Sequence, residues 1–136
     1  MPKLSRLFVR TSLVYLALGS TLGALLLADK GIGYWPALWR SLPWHMEFLL
    51  IGWMVQLAMG VAFWILPRYG SGPPRGKENW IRFAYGCLNF GIVLIVVHAW
   101  LPAAWLLVLG RVLEAAAVLL FLTGNWRRIK PFGADV

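Results

Sequence analysis

Charge is scarce in this chain. Only 13% of the 136 residues are Asp, Glu, Lys or Arg, about half the share found in soluble domains. Acidic residues are scarcer still, five against thirteen basic ones. A 15.3 kDa domain with so few charges cannot cover itself in polar groups, which excludes a soluble globular domain. With 60% apolar residues, intrinsic disorder is excluded as well, because disorder needs low hydrophobicity. Cysteine occurs once, at Cys87, so no intrachain disulfide can form. Its place in an apolar run reads as a small buried hydrophobe. No Cys-x-x-Cys-His run exists to attach a c-type haem. Nor does the sequence present a nucleophile–base pair, paired carboxylates or a phosphate loop, which argues against an enzyme acting on its own.

What is present is four apolar runs, at about 7–28, 45–66, 81–101 and 103–123. Each approaches the ~20 residues that a helix needs to cross a bilayer. The first follows Lys3 and Arg6 as a signal peptide would. It is too long for such a peptide's apolar region and lacks a small-residue cleavage site before Asp29-Lys30, so it reads as a retained helix. No internal repeat divides residues 1–136. The expectation is a single all-α integral membrane domain, a bundle of four transmembrane helices running up-down-up-down.

The formal charge of +8 could suggest nucleic acid, but that needs a basic binding face. Here the charge lies in short connectors, so it reads as topology and contact with anionic lipid. Lys3, Arg6, Arg10, Arg68, Arg75, Lys77, Arg82, Arg127, Arg128 and Lys130 fall on one side; Lys30 and Arg40 fall on the other. That asymmetry predicts cytoplasmic termini in a bacterial-type inner (plasma) membrane. Trp35, Trp39, Trp44, Trp100 and Trp105 would form an aromatic belt on the outer side. The breaker-rich run Tyr69–Arg75 is the expected inner connector. Pro102 leaves so short a joint between helices 3 and 4 that they must pack as antiparallel neighbours.

There are two histidines, His45 and His98. The topology puts them on different helices at the same outer edge. At 3.6-residue periodicity each has a glycine seven residues deeper on its own face, Gly52 and Gly91. Two imidazoles above two small residues leave room for a flat macrocycle, and haem iron accepts two axial His ligands. Spacing alone leaves the alternatives open: a lone interfacial His also serves as a helix anchor, and helix glycines also serve close packing. Zinc or copper is disfavoured because no Cys or second carboxylate joins the pair. Glu47, at i+2 from His45, points to another face.

The segment from His45 through Gly60, Phe63-Trp64 and Leu66-Pro67 resembles the second helix of the catalytic subunit of haem-copper oxidases, nearest the nitric-oxide reductase branch. The resemblance implies that His45 is an axial ligand of a low-spin haem near the outer side. It covers this segment alone. The further histidines of that family's binuclear centre have no counterpart, so reduction of oxygen or nitric oxide at such a centre is excluded in this chain. His98 is assigned as second ligand from topology.

The expected function is therefore a small membrane cytochrome b with one haem b between helices 2 and 3. Its metal ligands are His45 and His98, with Gly52 and Gly91 giving clearance and Arg40 and Trp44, beside Lys30, Trp39 and Trp100, meeting the propionates. Electron transfer with a respiratory partner follows, through a periplasmic cytochrome, a quinol or a larger complex, or within a homo-oligomer. Two alternatives remain: a five-coordinate haem protein binding nitric oxide or oxygen, and a cofactor-free accessory or assembly subunit of a respiratory complex. The accessory reading gives Gly19 and Gly23 a role in partner packing. Arg111 and Glu114, at i+3, read as a structural ion pair completed by Gln56 or Asn89, and Asn89 could instead face a partner subunit.

Overall fold

A computed structural model of the protein describes residues 1–69, 75 and 78–129. Lys77, Lys130 and residues 70–74 of the inner connector lie outside them. Among the described residues the chain is helical throughout, with no strand. It contains four helical spans long and apolar enough to cross a membrane.

Helix α1 runs Lys3–Ile32, several residues beyond the apolar run at each end. Thirty residues rise about 45 Å, more than the ~30 Å hydrocarbon core. It stops where Gly33 adopts φ 68°, a conformation that glycine enters without a Cβ penalty. The Gly33 N–H donates to the Asp29 carbonyl at 2.6 Å, an αL cap.

The second span starts earlier than the apolar run predicts. It comprises a 3₁₀ turn Pro36–Ser41, helix α2 Leu42–Glu47, a π-helical stretch Phe48–Val55 and helix α3 Gln56–Ile65. Pro36 and Pro43 occupy first-turn positions, where the missing N–H is no loss. Leu66 turns extended at ψ 142° because the following Pro67 disfavours the α region. Helix α4 spans Glu78–His98 and α5 spans Ala104–Asn125, followed by a 3₁₀ turn Trp126–Arg128. Relative to the expected 81–101, α4 is shifted three residues back.

Glycines join the spans into two antiparallel hairpins. Along α1 and the second span, a Cβ on Gly60 would lie 2.7 Å from Phe8 Cβ, and one on Gly52 would lie 2.5 Å from the Tyr15 ring. Along α4 and α5, a Cβ on Gly91 would lie 2.9 Å from the Gly110 carbonyl, and one on Gly124 would lie 2.9 Å from Ile81. The expected antiparallel packing of the last two spans is thus present.

The hairpins meet over an apolar core of Phe8, Phe63, Ile81, Ala84, Leu88, Ala117 and Phe121. Phe8 packs edge-on to Tyr85 at 5.1 Å. Polar bonds tie α1 to α4: the Thr11 and Tyr85 hydroxyls are 2.8 Å apart, and Tyr15 OH donates to Asn89 Oδ1 at 3.1 Å. Asn89 therefore faces α1 within the bundle, and not outward.

At the arginine-rich end Arg128, 1% exposed, clamps the second span. Its Nε donates to the Pro67 carbonyl at 3.0 Å, and its Nη2 to the Phe63 and Leu66 carbonyls at 3.1 and 2.8 Å. Nη1 donates to Asn125 Oδ1 at 2.7 Å. The cation meets the carbonyl end of α3, where the helix dipole is negative, and stands 5.1 Å from the centre of the Phe63 ring. Away from these contacts, Leu18, Leu25, Phe83, Phe90, Val108 and Leu119 are exposed, as suits a bundle surrounded by lipid.

Candidate functional site

The chemistry-bearing residues gather at the tryptophan-rich end. His45 lies in α2 and faces α1. Its Nδ1 is 2.7 Å from the Gly19 carbonyl oxygen, and its ring lies over Gly23, whose added Cβ would stand 2.8 Å from Nδ1. A carbonyl can only accept, so Nδ1 carries the hydrogen and, in the neutral ring, Nε2 keeps its lone pair. His98 closes α4 with Nδ1 3.1 Å from the Ala103 carbonyl, and the same reasoning leaves its Nε2 free. Trp44 and Trp100, next to the two histidines, have ring centres 5.4 Å apart. The two helix ends therefore touch at this level.

The clearance expected at Gly52 and Gly91 is absent. Tyr15 of α1 fills the space at Gly52, while the Gly110 carbonyl and the Glu114 side chain fill that at Gly91. Both glycines serve close helix approach. Gly19 and Gly23 likewise accept Leu49, Phe48 and His45 of the second span, so that face of α1 is occupied within the chain. The gap expected for a haem is therefore filled, and the His45 ring is packed on Gly23 of α1.

Arg40 and Trp44 do share a cavity. A cleft of about 340 Å³ is lined by Trp35, Ala37, Leu38, Arg40, Ser41, Trp44, Ala99 and Trp100. Neither histidine lines it. Trp39 turns away, its indole N–H donating to Asp29 Oδ2 at 3.1 Å, and Asp29 Oδ1 accepts from the Trp35 N–H at 2.6 Å. Asp29 thus fixes the connector that forms one wall of the cleft.

A second constellation was legible in the sequence only in part. Arg111 of α5 donates to Glu114 Oε2 at 2.7 Å, as its i+3 spacing predicts, and also to Glu47 Oε2 at 2.9 Å. Glu47 is 3% exposed and completes the pair in place of Gln56 or Asn89. Gln56 instead reaches toward the Phe8 carbonyl at 3.5 Å, and Asn89 Nδ2 donates to the Tyr85 carbonyl at 2.8 Å. The Oε1 atoms of Glu47 and Glu114 are both buried without a donor. Two carboxyl groups therefore converge on a single guanidinium.

The signal missed was the π-helix. Its i→i+5 bonds, seen where the Gln56 N–H reaches the Ile51 carbonyl, lengthen the turn between Glu47 and Gly52. The buried stripe runs Glu47, Gly52, Gln56, Met59/Gly60 and Phe63. A 3.6-residue count had started that stripe at His45.

Among the described residues no group of three or more His, Cys, Asp or Glu could hold a metal ion. Comparison with protein-family models, curated proteins and solved structures finds no match to this chain.

Proposed function

We propose that the chain is a small membrane cytochrome b, carrying one haem b on His45 and His98 at the tryptophan-rich end. It would exchange electrons with a respiratory partner, a periplasmic cytochrome or a quinol. The supporting observation is the common setting of the two imidazoles. Each spends its Nδ1–H on a main-chain carbonyl, which fixes the tautomer and ring orientation and leaves Nε2 as the donor. Metal-ligating histidines are typically held this way by their other nitrogen. Bound between two such ligands, the cofactor supplies one-electron transfer. The chain's own part is to orient the rings through Gly19 and Ala103, and to keep them in apolar surroundings. The basic-residue asymmetry supports an outward-facing site with both termini cytoplasmic.

The filled positions at Gly52 and Gly91 favour a second reading, a cofactor-free accessory subunit of a larger respiratory complex or homo-oligomer. Absorption spectra of the purified protein, oxidised and dithionite-reduced, separate the two readings. Sharp reduced bands lost in both His45→Ala and His98→Ala are the expected outcome. Colour that depends on one histidine alone would indicate an open-site binder of nitric oxide or oxygen. A colourless wild type, expressed with ample haem, would refute the cytochrome and leave the accessory subunit.

A further inference from the structure

The cleft between the 3₁₀ turn and the end of α4 has a one-sided chemistry. Its walls are the indoles of Trp35, Trp44 and Trp100 with Ala37, Leu38 and Ala99. Its polar members are Arg40, Ser41 and the Trp44 indole. Ser41 Oγ already donates to the Leu38 carbonyl at 2.6 Å. Trp44 Nε1–H is buried with no surface open to the cleft, which leaves the guanidinium of Arg40 as the free donor there. No carboxylate lines the cleft, since Asp29 is held by Trp35 and Trp39 outside it. What would fill this space must bring acceptors and negative charge, with an apolar portion for the indole walls.

We propose that this cleft binds a phosphodiester oxyanion, with the Arg40 guanidinium as its donor and the indoles as its apolar walls. The source it fits is the headgroup of an anionic phospholipid. Guanidinium pairs with phosphate through two parallel N–H bonds. Tryptophan belts lie at the headgroup level of a bilayer, so the phosphate is already at that height. The volume of about 340 Å³ suits a headgroup and the first atoms of its chains, at the low end of small-molecule sites. The site needs neither histidine, so it stands or falls apart from the haem reading.

The test is lipid retention by the full chain. Detergent-purified protein would be titrated with phosphatidylglycerol, with phosphatidylcholine and with soluble glycerol phosphate, and bound molecules counted by native mass spectrometry. Wild type, Arg40→Gln, Trp44→Phe and Lys30→Gln would be compared, each first checked for unchanged helix content. Phosphatidylglycerol is expected to bind, with affinity falling about tenfold in Arg40→Gln and little in Trp44→Phe, which keeps an aromatic wall. Lys30→Gln, a basic residue near the same end but outside the cleft, should weaken binding far less than Arg40→Gln. Glycerol phosphate bound with the same Arg40 dependence, in place of the lipid, would keep the oxyanion site and assign it a soluble ligand. Equal retention of both lipids, or equal effects of all three substitutions, would overturn the proposal.

Discussion

Arg128→Met should loosen the arginine-rich end of the bundle more than any other single change there. Methionine keeps the length and the apolar stem but removes every donor. The Phe63 carbonyl, at a buried residue, loses its charged donor outright, at about 2–3 kcal/mol. The Leu66 and Pro67 carbonyls lie at the frayed end of α3, where water can replace part of the loss, so about 0.5–1 kcal/mol each is reasonable. Loss of the contact with the Phe63 ring adds about 0.5–1 kcal/mol. The sum is about 3.5–6 kcal/mol, overlapping the ~3–5 kcal/mol seen when a buried charge network loses one partner. Arg128→Lys keeps the charge but not the fork, and should fall about midway. Unfolding in mixed micelles by a denaturing detergent, followed by far-ultraviolet circular dichroism, measures both. A Met variant within about 1 kcal/mol of wild type would refute the clamp, since the loss of the Phe63 bond alone exceeds that.

Two further outcomes use the same assay. Arg111→Leu should cost about 3 kcal/mol or more because it leaves the Glu47 and Glu114 carboxyls together without their cation. Glu47→Gln should cost about 1–2 kcal/mol, since the amide oxygen still accepts from Arg111 and Arg111 keeps Glu114; equal losses in the two variants would contradict the shared-guanidinium arrangement. Gly23→Ala should push the His45 ring out of its notch and cost about 1–3 kcal/mol. Gly31→Ala, in the same helix with open space around it, should be neutral or stabilising by up to ~1 kcal/mol. A Gly23→Ala variant as stable as Gly31→Ala would show that the notch is not tight.

The four spans were legible because long apolar runs have one reading. Their ends were less so, because hydropathy records where apolar residues stop and not where a backbone can stop. The first span passes Lys30 to end at Gly33, the residue able to take positive φ. The second begins at Pro36, before the apolar run, because proline is favoured at helix starts. Arg111 with Glu114 was readable from spacing within one helix. Glu47 was not, since its partner lies 64 positions away on α5, and the π-helix breaks the count that assigns faces. Arg128 was counted as one of several basic residues marking a membrane side. Composition carries no sign that three main-chain carbonyls of another helix end around it.

That π-helix also constrains how the second span can change. A segment with i→i+5 bonds is an ordinary helix holding one surplus residue. Removing any single residue between Phe48 and Val55 would let the segment relax to α-helical bonding while α3 stays anchored by Arg128. Glu47 precedes Gly52 by five residues across this wide turn, and a deletion between them would leave four, the α-helical same-face spacing, so the half carrying His45 and Glu47 would keep its facing. Relaxation to α-helical bonding with no residue removed would instead turn that half by about 100°, and His45 would leave the Gly19 carbonyl and Glu47 would leave Arg111 in one step. The π turn thus takes up the surplus residue and holds the register between the two ends of this span: the lower half is indexed to the bundle core, and the upper half to the histidine and the acid.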